Sequence, residues 1–151
     1  MEKTYEIYIR TSPDLLWEAI TTPEIRANYN FGASVHSEWT PGSHVEMGSP
    51  NAGRLVGDGE ILEVDRPHKL VQTMRALWSE EVIAEGTSRV TWEIDPVGGT
   101  PCRLLLTHDQ LRDGANEELY GGWPMILSGL KTWLETGEFL TTPGSLRFLG
   151  R

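Results

Sequence analysis

Apolar and polar residues alternate from Tyr5 to Arg10, with Tyr5, Ile7 and Ile9 on one face and Glu6, Tyr8 and Arg10 on the other. That two-residue period predicts a half-buried β-strand. Ser12 followed by Pro13 reads as an N-cap and a first helical residue, so a short helix is expected through about Ala19. Thr22-Pro23-Glu24 repeats the signal and predicts a second short helix to about Asn28. Two clipped helices placed between strands suggest a V-shaped plug at the end of a sheet.

Further along, Ala33 to Trp39 and Ser43 to Gly48 flank Thr40-Pro41-Gly42 and read as a hairpin. If Trp39 pairs with Ser43, Val35 faces Met47 and Ser37 faces Val45 on one side, while His36 faces Glu46 and Glu38 faces His44 on the other. Arg54 to Val64 predicts a strand whose phase stays open, because Ile61, Leu62 and Val64 conflict in parity; Gly57 and Gly59 are candidates for a bulge. Three more strands are expected over His68 to Trp78, Glu85 to Asp95 and Cys102 to Leu111. Leu70, Met74 and Trp78 share a phase in the first, Val90, Trp92 and Ile94 point inward in the second, and Cys102, Leu104, Leu106 and His108 share a face in the third.

From Asp113 or Asn116 a helix is expected to run to Gly137, with Leu119, Trp123, Ile126, Leu127, Leu130 and Leu134 as its apolar stripe. Pro124 should bend it, and Gly121 and Gly122 should thin it beside the bend. The order β-α-α-β6-α predicts an α+β domain, a strongly curved antiparallel sheet around a long C-terminal helix with an internal cavity. Residues 1–138 form that domain, and 139–151 form a tail with Phe139, Leu146, Phe148 and Leu149 apolar. An apolar tail needs cover, either from its own domain or from a second copy in a homodimer.

Composition narrows the function. A formal net charge of −9 over 151 residues argues against nucleic acid and anionic membrane surfaces as partners. One cysteine excludes an internal disulfide, no apolar run spans a membrane, and the N-terminus lacks a signal pattern, so a cytoplasmic protein is the default. Six tryptophans are spread over most of the expected elements, as they would be if several converged on one interior space.

Trp39, Met47, Met74, Trp78, Trp92, Leu106, Trp123 and Leu127 are the candidate walls of such a pocket; ordinary core packing is the bland alternative. His108 is the candidate for chemistry, able to bond a ligand carbonyl or move a proton near neutral pH; its bland alternative is a structural histidine bonded to backbone. Gln72 and Glu60 are the other polar groups expected inside. His36, Glu38, His44 and Glu46 form a conceivable zinc set but read better as cross-strand charge pairs, so no metal is expected. No cofactor is expected either, since Gly57-Asp58-Gly59 and Gly98-Gly99 lack the strand-then-helix setting of a phosphate loop, and no nucleophile motif is present.

Several segments together resemble the SRPBCC (START-like, birch-pollen-allergen-like) superfamily. They are Ser12-Pro13 through Trp17-Glu18-Ala19, Gly59-Glu60-Ile61-Leu62-Glu63-Val64 with Pro67 and Leu70, Leu104-Leu105-Leu106-Thr107-His108, and Gly122-Trp123 through Leu134-Glu135. Within it the chain is similar to the branch named after the activator of the heat-shock-protein-90 ATPase, in its bacterial single-domain form. The resemblance implies the helix-grip fold and a hydrophobic cavity. Three functions fit: a carrier of a small, largely apolar or aromatic molecule, an enzyme of the cyclase, isomerase or hydrolase kind using His108, and a co-chaperone. An enzyme needs several polar groups converging in the cavity, and a carrier needs few, which favours the carrier.

Overall fold

A computed structural model describes residues 1–49 and 53–141. Seven strands form one antiparallel sheet in the order β1-β7-β6-β5-β4-β3-β2. They are β1 (Lys3–Ile9), β2 (Ser34–Ser37), β3 (His44–Ser49), β4 (Arg54–Asp65), β5 (Lys69–Ala76), β6 (Thr87–Pro96) and β7 (Cys102–Asp109). Helices α1 (Pro13–Thr21) and α2 (Pro23–Ala27) follow β1, and α4 (Trp123–Thr136) closes the chain. With α1 and α4 laid on one face of the sheet, this is the α+β helix-grip fold. Among the described residues no helix is long and apolar enough to cross a membrane.

Local chemistry explains most boundaries. Ser12 Oγ accepts the Leu15 N–H at 3.2 Å, with Pro13 in the first turn of α1. In the hairpin Val35 faces Met47, Ser37 faces Val45 and His36 faces Glu46. β2 stops at Ser37, so the pairs expected of Glu38 with His44 and Trp39 with Ser43 do not form in the ladder; Trp39 instead takes a left-handed φ of 58°. β4 contains two irregularities. Its register shifts between Met47 and Gly48 of β3, beside Gly57, and again between Ile61 and Glu63 against β5. The second lets Ile61 and Val64, three residues apart, both pack on the core while Leu62 is 44% exposed. A bulge repairs the parity that a straight strand would violate.

A short helix, α3 (Glu80–Ile83), not expected from the pattern, follows β5, its N-cap Ser79 accepting the Val82 N–H at 3.3 Å.

The C-terminal helix differs from its expected form. Residues 117–119 make one turn of 3-10 helix, and α4 begins only at Trp123 with Gly122 as N-cap. Pro124 therefore sits in the first turn, where an amide N–H has no helical acceptor to lose, and it starts the helix instead of bending it. Gly137, at φ 75°, ends it as expected. Trp123, Ile126, Leu127 and Leu130 pack with Ile9, Leu70, Trp92, Ile94, Leu104 and Leu106 of the sheet and with Leu16, Trp17 and Ile20 of α1. Leu119 belongs to a second cluster with Ala76, Val82, Leu111 and Ala115. Phe139 stacks on Trp133 with centroids 4.8 Å apart; Leu146, Phe148 and Leu149 lie outside the described residues.

Candidate ligand-binding site

Between the sheet and the N-terminal end of α4 lies a cavity of about 70 Å³. It is well below the ~300 Å³ expected of a small-molecule site. Pro124 sits in the first turn of α4 and not in its interior, where it was expected to bend the helix, and the residues of α4 and its cap that line the space, Gly122, Trp123 and Ile126, all lie at the helix start. Five of the expected wall residues do line it, Met47, Met74, Trp78, Trp92 and Trp123. Leu106 and Leu127 are buried in the core behind it, and Trp39 packs against that core from the hairpin; none of these three reaches the cavity.

His108 is likewise absent from the lining. Its ring is completely buried, and both nitrogens are engaged. Trp123 Nε1–H donates to Nδ1 at 3.0 Å, which leaves the imidazole proton on Nε2 facing Ser88 Oγ at 2.8 Å. The Ser88 hydroxyl in turn reaches the Met74 carbonyl at 3.3 Å. Burial lowers the His108 pKa to about 4, opposed by the neighbouring Asp109 charge. The neutral imidazole thus fixes the edge of Trp123, one wall of the cavity, and holds no free nitrogen for proton transfer.

Among the other polar candidates, Gln72 lines the cavity and Glu60 does not: its side chain is exposed on the far side of β4. His36 Nε2 bonds Ser34 Oγ at 2.9 Å and His44 lies 3.5 Å from Glu46. No group of three or more His, Cys, Asp or Glu among the described residues could hold a metal ion. Cys102 Sγ donates to the Thr11 carbonyl, and burial raises its pKa, which keeps the thiol protonated and unreactive.

Arg26, at the end of α2, is the residue the sequence reading missed. Arg26 lines the cavity although it is only 5% exposed. Nη1 donates to the Ile20 carbonyl at 2.9 Å, the carbon centre lies 5.0 Å over the Trp92 ring, and Nε has no partner. Burial lowers its pKa, partly offset by Tyr29, but an arginine stays a cation. Cation–π contact returns up to ~2 kcal/mol, against a desolvation cost of several kcal/mol for an ion without a counter-charge. Trp92 Nε1 is also buried without a partner. A five-residue helix is too short for a period to mark which side is buried, so nothing in the pattern singled Arg26 out.

The cavity mouth is marked by half-buried Asp58 and Trp78 and exposed Glu118. Trp78 Nε1–H donates to Glu118 Oε1 at 3.2 Å across it, and Asp58 is held by a two-bonded contact from Arg75. Phe31, at a left-handed φ of 57°, presses on Gly122, where a Cβ would meet its ring at 2.7 Å. That conformation costs a bulky residue about 1 kcal/mol.

A curved antiparallel sheet covered by a C-terminal helix, with an aromatic cavity at the helix start, defines a helix-grip protein. The chain belongs to the family described as Activator of Hsp90 ATPase homolog 1-like protein, whose model matches residues 10–135, a branch of the SRPBCC superfamily. Among solved structures it is similar to CalU16 from Micromonospora echinospora, with TM-score 0.72, 18% identity, and coverage of 97% of this chain and 80% of that one. An HSP90 activator from Plasmodium falciparum gives TM-score 0.72 at 22% identity, covering 89% and 96%. The Aha1 dimer from Colwellia psychrerythraea gives 0.71 at 16% identity, covering 91% and 98%. Among curated proteins none matches the chain significantly.

Proposed function

We propose that the protein binds a small, largely apolar molecule in the cavity at the start of α4 and performs no proton-transfer chemistry on it. The observation that carries this reading is the contrast between walls and chemistry. Met47, Met74, Trp78, Trp92 and Trp123 supply adaptable apolar surface, while the one histidine near them has both nitrogens bonded inside the protein. At about 70 Å³ the space admits a small group outright. A whole ring enters by displacing half-buried Phe31, Met47 or Trp78. Naphthalene or benzamide should quench tryptophan emission saturably, and Trp123→Ala should weaken the response at least about tenfold. A response that never saturates, or that Trp123→Ala leaves intact, would overturn it.

The family match supports a second reading, docking on an Hsp90-type ATPase. Adding the purified protein to that ATPase and measuring turnover decides it; an unchanged rate removes this reading. The Aha1 of Colwellia psychrerythraea is a dimer, and light scattering on the same preparation tests whether this chain self-associates as well.

A further inference from the structure

Building on the reading of the cavity as a ligand site, we propose that its occupant is a monoanion, a small aromatic carboxylate whose acid group meets Arg26. Among the described residues the charged groups lining the cavity are Arg26, Asp58 and Glu118. Two of them are spoken for: Asp58 by Arg75 at 3.0 and 2.8 Å, and Glu118 by the Trp78 indole N–H. Arg26 has no carboxylate partner among the described ion pairs, and its one hydrogen bond, Nη1 to Ile20, leaves Nε unmet.

A buried ion without a counter-ion destabilises the empty fold, and such a cost is retained where an incoming group removes it. Arg26 lies over Trp92, whose own indole N–H is also unmet. Two unmet donors therefore lie together on adjacent residues of the wall of an otherwise aromatic and methionine-lined space. A planar carboxylate matches the guanidinium fork, and its ring matches the tryptophan faces. The carboxylates at the mouth set the polarity of entry: an acid group left outside would face Asp58 and Glu118, so the acid goes in first, and a second negative charge at the other end of the ligand is disfavoured.

Benzoate and its neutral counterpart benzamide separate the two halves of the idea. By calorimetry, the wild-type protein should bind benzoate at least about tenfold tighter than benzamide, the scale of one charge-assisted contact. Arg26→Met should bring the two to parity by weakening benzoate at least about tenfold and benzamide much less, and Arg26→Lys should restore part of the preference. The melting temperature of empty Arg26→Met should equal or exceed that of the wild type, because the variant removes an unpaired charge. Parity of benzoate and benzamide in the wild type overturns the proposal while leaving the apolar cavity in place. Binding of neither overturns the cavity reading as well. A lowered melting temperature in Arg26→Met, with the benzoate preference retained in Arg26→Lys at the wild-type value, assigns Arg26 to holding the end of α1 and overturns the proposal. If Arg26→Met does not fold, the benzoate-to-benzamide ratio of Arg26→Lys decides: unchanged overturns, reduced supports.

Discussion

His108 shows how one side chain can be legible in direction and illegible in role. Its parity with Leu104 and Leu106 correctly turned it inward, and the alternation of buried and half-buried positions along β7 confirms the phase. Its partners come from Ser88, 20 residues earlier, and Trp123, 15 residues later, separations that no local period reports. Replacing it with leucine leaves the Trp123 indole N–H without an acceptor and Ser88 with only its bond to the Met74 carbonyl, so His108→Leu should cost about 2 kcal/mol or more, measured by urea unfolding. The pH dependence has a definite sign. The folded pKa of about 4 lies below the unfolded value near 6.5, so between them the unfolded chain binds the proton and the fold does not. Its contribution is whole above pH 6.5 and falls by about 3 kcal/mol as the pH drops through 4. His108→Leu should flatten the acid limb of the stability profile over that range; an equally steep limb in the variant would place the titration elsewhere. Arg26 was not legible at all, because nothing about an arginine in a five-residue helix announces burial.

At the level of elements, pattern alone placed the strands, the two clipped helices and the αL stop at Gly137, because alternation and capping act within a few residues. It misplaced the start of α4. Leu119 and Trp123 are spaced as one stripe, yet Gly121 and Gly122 interrupt the helix between them, and Leu119 joins a different cluster. Pro124→Ala should therefore change stability by less than about 0.5 kcal/mol, where a proline in a helix interior would matter by about 3. Gly59→Ala is the opposite case. A Cβ there would lie 2.0 Å from the Thr73 carbonyl oxygen, a backbone atom that cannot step aside without opening the β4–β5 pair. A loss of about 3 kcal/mol or more is expected, checked by thermal unfolding; a wild-type melting curve would show that the strands separate at little cost.

For the molecule as a whole, the cavity depends on two chain segments pressing together far from either in sequence. Gly122→Ala should drive the Phe31 ring from its place, since the new Cβ would lie 2.7 Å from it. Affinity for naphthalene or benzamide should then change at least about threefold, while the melting temperature moves by only a few degrees; an unchanged affinity would place the binding site elsewhere. The sequence by itself determined the α+β class, the succession of strands along the chain, the face that each strand but β4 presents and the aromatic character of the interior. Those properties follow from periods of two and of 3.6 residues and from residue type, which are local. Tertiary structure alone decided the size of the cavity, the withdrawal of His108 from it and the entry of Arg26. Each of these turns on where α4 begins and on how α2 docks over Trp92, and such distances arise only when separate elements pack to fill space.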